Sequence, residues 1–387
     1  MTIGIDATNL RGGGGVTHLV ELLRVAQPKL HGIGRVVVWG STPTLQLLDA
    51  RPWLAKITPL ALDKGLFQRT LWQRYSLSQA ARDAGCDLLF VPGGSYAGDF
   101  HPMVTMSRNL LPFEMPELQR YGWTLFTLKL VLLRLTQSYS FRKADGVIFL
   151  TEYARDVVLR VTGKLRGQIC IVPHGLNPRF NNAPKLQRAI AEYDDAHPYR
   201  LLYVSAIDQY KHQWHVVEAV AALRKQGFPL VLDLVGPAYP AALKRLNQTI
   251  DHVDAKRRWV HYYGAIPFCE LHLRYAAADL GLFASSCENM PNILLETMAS
   301  GLPIACSSRG PMPEVLGQTG VYFNPEKFED IVRALLELIN FPQTRARLAR
   351  ASYERVQQYS WLCCGDETFR FLVGVMQQRK KKRIYDV

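Results

Sequence analysis

At 387 residues, 48% of them apolar, the chain is too long for one ordinary core and carries material for two domains of about 150 to 200 residues each. A formal charge of +13 points to an acidic partner, and nucleic acid, an anionic membrane surface and a phosphate-bearing small molecule all satisfy it. Seven cysteines, odd in number, scattered and without spaced CxxC pairs, argue against a zinc site and for free thiols in a reducing cytosol.

The N-terminus, MTIGIDATNL, lacks a basic run followed by an apolar one and reads as a first β-strand instead of a signal peptide. Short apolar runs then recur at Ile3–Ile5, Val36–Trp39, Leu88–Val91, Val104–Met106, Val147–Leu150 and Ile169–Val172, separated by longer helix-like segments. That alternation predicts parallel strands with crossover helices. After Gly12–Gly15 a helix is expected from about Val16; the glycines let backbone approach a ligand, and the helix start offers N–H groups to an anion. Thr17 stands where a third glycine of GxGxxG would be and no GK[ST] follows, so a plain flexible turn is an equal reading.

The apolar stretch Trp123–Leu135 is interrupted by Lys129 and Arg134 and is too short to span a bilayer. As part of a basic, aromatic helix from Arg120 to Lys143 it suits either an anionic membrane surface or the core of the first domain. The protein is therefore expected to be soluble or peripheral. Asn177–Pro198 shows no strand pattern and reads as a linker. Apolar runs resume at Leu201–Val204, Leu230–Val235, Val260–Tyr263, Leu280–Ala284, Pro303–Cys306 and Val321–Phe323, which predicts a second doubly wound sheet. His212 and His215 are spaced as metal ligands on a helix, but no third ligand is nearby, so an ordinary helix face is favoured. The basic run Arg379–Arg383 reads as a solvated terminus.

The segment Ser286–Glu296 carries the most chemistry. It follows a predicted strand, which puts Glu288 at a strand's carboxyl end, where open α/β sheets bind ligands. Pro291 suits the first turn of a helix running to about Ser300, whose free N–H groups could hold a diphosphate, with Glu296 about one turn further in. The bland alternative is a helix-end charge at Glu288 and a surface glutamate at 296.

Glu288 and Glu296 in this context resemble the E-x7-E signature of the retaining glycosyltransferases of family 4. Further matching pieces follow in order: Gly12–Gly15, Ala144–Ile148 with Thr151-Glu152, Val172–Leu176, Leu234–Gly236, Tyr263-Gly264, Gly301–Pro303 and Pro313–Val315. The resemblance implies the GT-B fold, two Rossmann-like doubly wound α/β domains facing a cleft. It divides the chain into an acceptor-binding domain (1–180), a nucleotide-sugar-binding domain (181–360) and a closing helix with basic tail (361–387). It implies Glu288 and Lys211 as catalytic residues; Arg108, which lines up with a His-Asp pair of the family, joins them as a phosphate or donor-sugar contact, with a salt-bridged surface arginine as the equal reading. The implied donor-binding residues are Gly14, Gly15, Ser205, Lys211, Gly236, Gly264, Glu288, Asn289, Met290, Pro291, Asn292 and Glu296.

Two departures stand out. Ala206 and Ser205 occupy the positions of the family's usual arginine before Lys211, and Arg108-Asn109 replace a His-Asp pair. The resemblance further implies a donor such as GDP-mannose as substrate, no cofactor or essential metal, and no nucleic acid partner. The acceptor would be a glycan or lipid-linked molecule in lipopolysaccharide, O-antigen or related synthesis, handled in the cytoplasm or on the inner membrane face. A nucleotide-sugar epimerase of the same fold and a non-catalytic nucleotide- or RNA-binding protein are the rival classes.

Overall fold

Runs of apolar, often β-branched residues become central strands here because helices cover both faces of each sheet, which leaves no polar face to alternate with. In the computed structural model, residues 1–385 are described, with side chains as far as Arg379; Lys380–Arg383 of the basic run lie outside the described side chains. The chain forms two compact units.

The first unit comprises residues 1–115, 123–175 and the chain from 359 onward. Its seven parallel strands are β1 (Thr2–Asp6), β2 (Arg35–Trp39), β3 (Leu54–Ile57), β4 (Leu88–Val91), β5 (Met103–Met106), β6 (Gly146–Phe149) and β7 (Gln168–Ile171), in the order β3-β2-β1-β4-β5-β6-β7. Every residue of β4, β5 and β6 is buried, whereas the edge strands β3 and β7 are partly open. The order reverses direction between β1 and β4, so the Gly12–Gly15 loop after β1 sits at a topological switch point. Helix Trp361–Tyr385 packs within this unit: a Cβ on Gly175 would stand 2.1 Å from the Trp361 nitrogen, so only glycine permits that backbone contact.

Gly122, at φ 61°, lies between helix Met115–Gln119 and helix Leu125–Lys143, so Arg120–Lys143 is not one helix. The second is capped by the Thr124 hydroxyl, which accepts from the Thr127 N–H at 3.2 Å. It buries Leu130, Gln137, Ser138, Ser140 and Phe141 and leaves most of its other apolar side chains in solvent, which corrects the reading of a plain core helix. Among the described residues no helix is long and apolar enough to cross a membrane.

The second unit comprises residues 176–358 together with 116–122. Its strands are β8 (Tyr199–Val204), β9 (Leu230–Val235), β10 (Val260–Tyr262), β11 (Leu280–Phe283), β12 (Ile304–Ser307) and β13 (Val321–Phe323), all parallel in the order β10-β9-β8-β11-β12-β13. Here the switch point lies between β8 and β11, and the loops that leave those two strands carry Lys211 and Glu288. Helix Asn292–Ala299 lies close on β11 because Gly281 has no side chain; a Cβ there would stand 2.2 Å from Thr297 Cγ2. Segment 116–122 is held by Tyr121, whose hydroxyl donates to Asp208 at 2.7 Å, and by Glu117, which accepts from the Ser286 hydroxyl at 2.7 Å.

Candidate functional site

In the second unit, the loops after β8 and β11 bring the two charges of the predicted donor site together. Lys211 Nζ forms an ion pair with Glu288 Oε1, both side chains largely withdrawn from water. The ammonium also stands over the Tyr210 ring at 4.9 Å, and the Lys211 carbonyl accepts from the buried Tyr203 hydroxyl at 2.8 Å. A withdrawn pair of this kind is costly to assemble and leaves an uncompensated charge if one member is removed, which makes this strand-end loop a candidate site and not a source of stability.

The loop around Glu288 is fixed from behind. The Ser286 N–H donates to the Tyr210 carbonyl at 2.8 Å, its hydroxyl donates to Glu117, and His212 Nε2 lies 3.0 Å from that same oxygen. Burial, then the nearby Arg120 charge, hold the His212 imidazole down to about 3, so it is neutral at pH 7. With the serine proton given to Glu117, Nε2–H is the donor in the His212 contact. His212 lies in left-handed conformation at φ 53° as the cap before helix Gln213–Lys225, not on its face. His215 Nδ1 instead donates to the Pro325 carbonyl at 2.8 Å. Among the described residues no three His, Cys, Asp or Glu side chains gather as a metal site.

Pro291 is the cap of helix Asn292–Ala299 and does not lie in its first turn. Glu296 is buried on that helix, not exposed on the surface: desolvation pushes its carboxyl up to about 8, and the Tyr275 hydroxyl donates to Oε2 at 3.3 Å. It is therefore a neutral acid at pH 7, able to donate one hydrogen bond and accept others. Ser205 is buried and donates to the Ala206 carbonyl at 2.9 Å. At Gly236, φ 147° and a would-be Cβ 2.2 Å from the Ser205 carbonyl oxygen make glycine obligatory, and the Gly236 N–H donates to Gly264 at 2.8 Å.

The predicted residues Gly14, Gly15 and Arg108 belong to the first unit. Helix Gly14–Val25 starts two residues earlier than expected, with Gly13 at φ 61° as its cap. Arg108 reaches over this turn: a Cβ on Gly15 would stand 3.1 Å from Nη1 and one on Gly14 3.8 Å from Nη2. Burial draws the guanidinium down to about 10, and Nε has no hydrogen-bond partner. A withdrawn cation beside a helix N-terminus is a setting for an anion. Behind it His18 is buried and held neutral by desolvation, its ring 4.8 Å from His174.

Arg309 is a candidate that motif reading missed. The Arg309-Gly310 turn follows β12 at the same carboxyl edge, and a Cβ on Gly310 would stand 3.8 Å from the Glu288 nitrogen. Arg309 is half exposed and lies 3.6 Å from Glu326, which it shares with Arg120. The one signal available in advance was its position just past a predicted strand, at the carboxyl end where such sheets bind ligands.

The family model described as Glycosyl transferases group 1 matches residues 198–340. The chain is similar to the Arabidopsis thaliana sulfoquinovosyl transferase SQD2, 32% identical over 105 residues, which is 26% of this chain and 21% of the relative. It is also similar to O-antigen chain mannosyltransferase B of Escherichia coli, 29% identical over 110 residues, 28% of this chain and 29% of the relative. These matches span less than a third of either relative's length. Among solved structures, Anabaena Alr3699/HepE in complex with UDP and glucose superposes with a TM-score of 0.68 at 16% identity, covering 97% of this chain and 100% of that one. That likeness carries the fold, which is GT-B: two parallel-sheet α/β domains.

Proposed function

We propose, from the match of residues 198–340 to the family model described as Glycosyl transferases group 1, that the chain is a retaining glycosyltransferase taking a hexose from a nucleotide-sugar donor. The buried Lys211–Glu288 pair at the switch point of the second sheet carries this reading. On donor binding the ammonium turns to the diphosphate and offsets the charge that accumulates on it, while Glu288 is released to a hydroxyl of the donor sugar. Arg309 supplies part of the charge that the family's missing arginine would have given. The backbone of Asn289–Asn292 faces the diphosphate, and Glu296 hydrogen-bonds the ribose hydroxyls. Gly14, Gly15 and Arg108 form an anion-ready turn in the first unit.

In the reaction, the acceptor oxygen forms a bond to the anomeric carbon as the bond from that carbon to the β-phosphate oxygen breaks. The acceptor proton passes to the departing phosphate, on the same face, so configuration is kept. Mannose from GDP-mannose is the favoured donor, supported by the similarity to the O-antigen mannosyltransferase. The favoured acceptor is a glycan or lipid-linked molecule of surface-polysaccharide synthesis. The reading requires no cofactor or metal, since protein cations answer the diphosphate.

Saturation-transfer NMR against GDP-, UDP- and dTDP-sugars tests this. One donor class should bind selectively, EDTA should leave the signal unchanged, and Glu288→Ala should lower turnover by about a hundredfold or more with the fold intact. Absence of donor binding, or near-normal turnover in Glu288→Ala, defeats the assignment.

A further inference from the structure

Two helices of the first unit turn apolar side chains outward. On helix Leu125–Lys143 the residues Leu125, Leu128, Leu132, Leu135 and Tyr139 recur at intervals of three and four, which lines them along one stripe. All five are exposed, Leu125 at 86%, and Trp123 just before the helix stands wholly in solvent. Helix Leu66–Tyr75 does the same with Phe67, Leu71 and Tyr75 at intervals of four, Phe67 at 72% and Tyr75 at 70% exposure. The helices flank one loop: Gln73 donates to the Ser95 carbonyl at 3.1 Å, and Ser140 accepts from the Tyr96 N–H at 2.8 Å. An exposed apolar surface of this extent on a folded chain marks an interaction face.

Charge selects the occupant. The two helices carry no aspartate or glutamate; Arg69, Arg142 and Lys143 turn to the backbone carbonyls of Thr8, Thr162 and Gly98, which leaves Arg74, Lys129 and Arg134 as the cations available to a surface. Pairing this face with a second copy would set cations against cations with no acid to answer them. An anionic lipid surface meets both features, burying the leucines at the acyl boundary, the tryptophan and tyrosines at headgroup depth and the cations against phosphates.

We propose that helices Leu66–Tyr75 and Leu125–Lys143 form a single face by which the first unit seats on an anionic bilayer. The proposal deepens the reading of a lipid-linked acceptor and rests on it for its biological purpose, but vesicle binding is measured without turnover. It also distinguishes the face from the rest of the basic surface, because both an apolar stripe and its cations must contribute.

Sedimentation of the full chain with vesicles tests it, using phosphatidylglycerol and phosphatidylcholine in equal parts against phosphatidylcholine alone. Binding is expected to the anionic vesicles, weakened by salt, and to fall about tenfold or more in Lys129→Glu with Arg134→Glu. A similar loss is expected in Leu128→Ser with Leu132→Ser, both already exposed and so tolerated by the fold. Donor binding by these variants, read by NMR, should match the parent chain. Loss of donor binding in the parent with vesicle binding intact would refute the transferase reading and leave the face standing. No binding to anionic vesicles, equal binding to neutral ones, or binding that both variants leave unchanged would overturn the proposal. So would a concentration-dependent dimer abolished by Leu132→Ser, which would give the face to a second copy.

Discussion

Glu296 pays for its position. Burial raises its carboxyl to about 8, so between the ordinary glutamate range and that value the folded chain holds a proton that the unfolded chain has lost. Stability linked to this group is therefore fully present at acid pH and declines as pH rises through that window, by an amount of the order of a few kcal/mol. Glu296→Gln keeps the shape and removes the titration. In thermal unfolding of the ligand-free protein, the variant should gain on the parent steadily from about pH 5 to pH 8. A constant difference across that range would mean that the carboxyl is already ionised in the fold. Lys211 and Glu288 show the complementary arrangement, two withdrawn charges that satisfy each other until a ligand takes one of them.

At the scale of elements, the seat of helix Asn292–Ala299 depends on one missing side chain. Gly281→Ala would drive a methyl into Thr297 Cγ2 at 2.2 Å and should destabilise the second unit by about 1–3 kcal/mol. Thr297→Ala in the same chain should recover most of that loss in urea unfolding, since the methyl it removes is the obstacle; independent, additive losses would refute this packing account. Most central strands were legible because they are largely apolar runs buried on both faces, as in Leu88–Val91. β3 was not, because Leu-Ala-Lys-Ile at a sheet edge is only half covered and needs no such run. The outward stripe of helix Leu125–Lys143 was ambiguous for a related reason: apolar periodicity marks a face but does not say whether protein covers it.

Across the whole molecule, what local sequence could not convey is contact at long separation. Glu117 and Arg120 lie far along the chain from Ser286 and Glu326, yet segment 116–122 counts with the second unit and braces the loop that holds Glu288. Arg309 was missed on the same ground, since the approach of the Arg309-Gly310 turn to the Glu288 backbone depends on neighbouring parallel strands ending at one edge. The position of Glu288 could be anticipated because it follows a strand, at the carboxyl end where such sheets bind ligands, whereas Lys211 was reached only through the family resemblance; that the two loops meet depends on the strand order. The most direct test of the central claim is calorimetric titration of GDP and UDP into the parent protein and into Lys211→Ala. One diphosphate should bind the parent, and the variant should weaken it by about tenfold to a hundredfold while its circular dichroism is unchanged. Binding of neither nucleotide by the parent, or equal affinity in Lys211→Ala, would contradict the account.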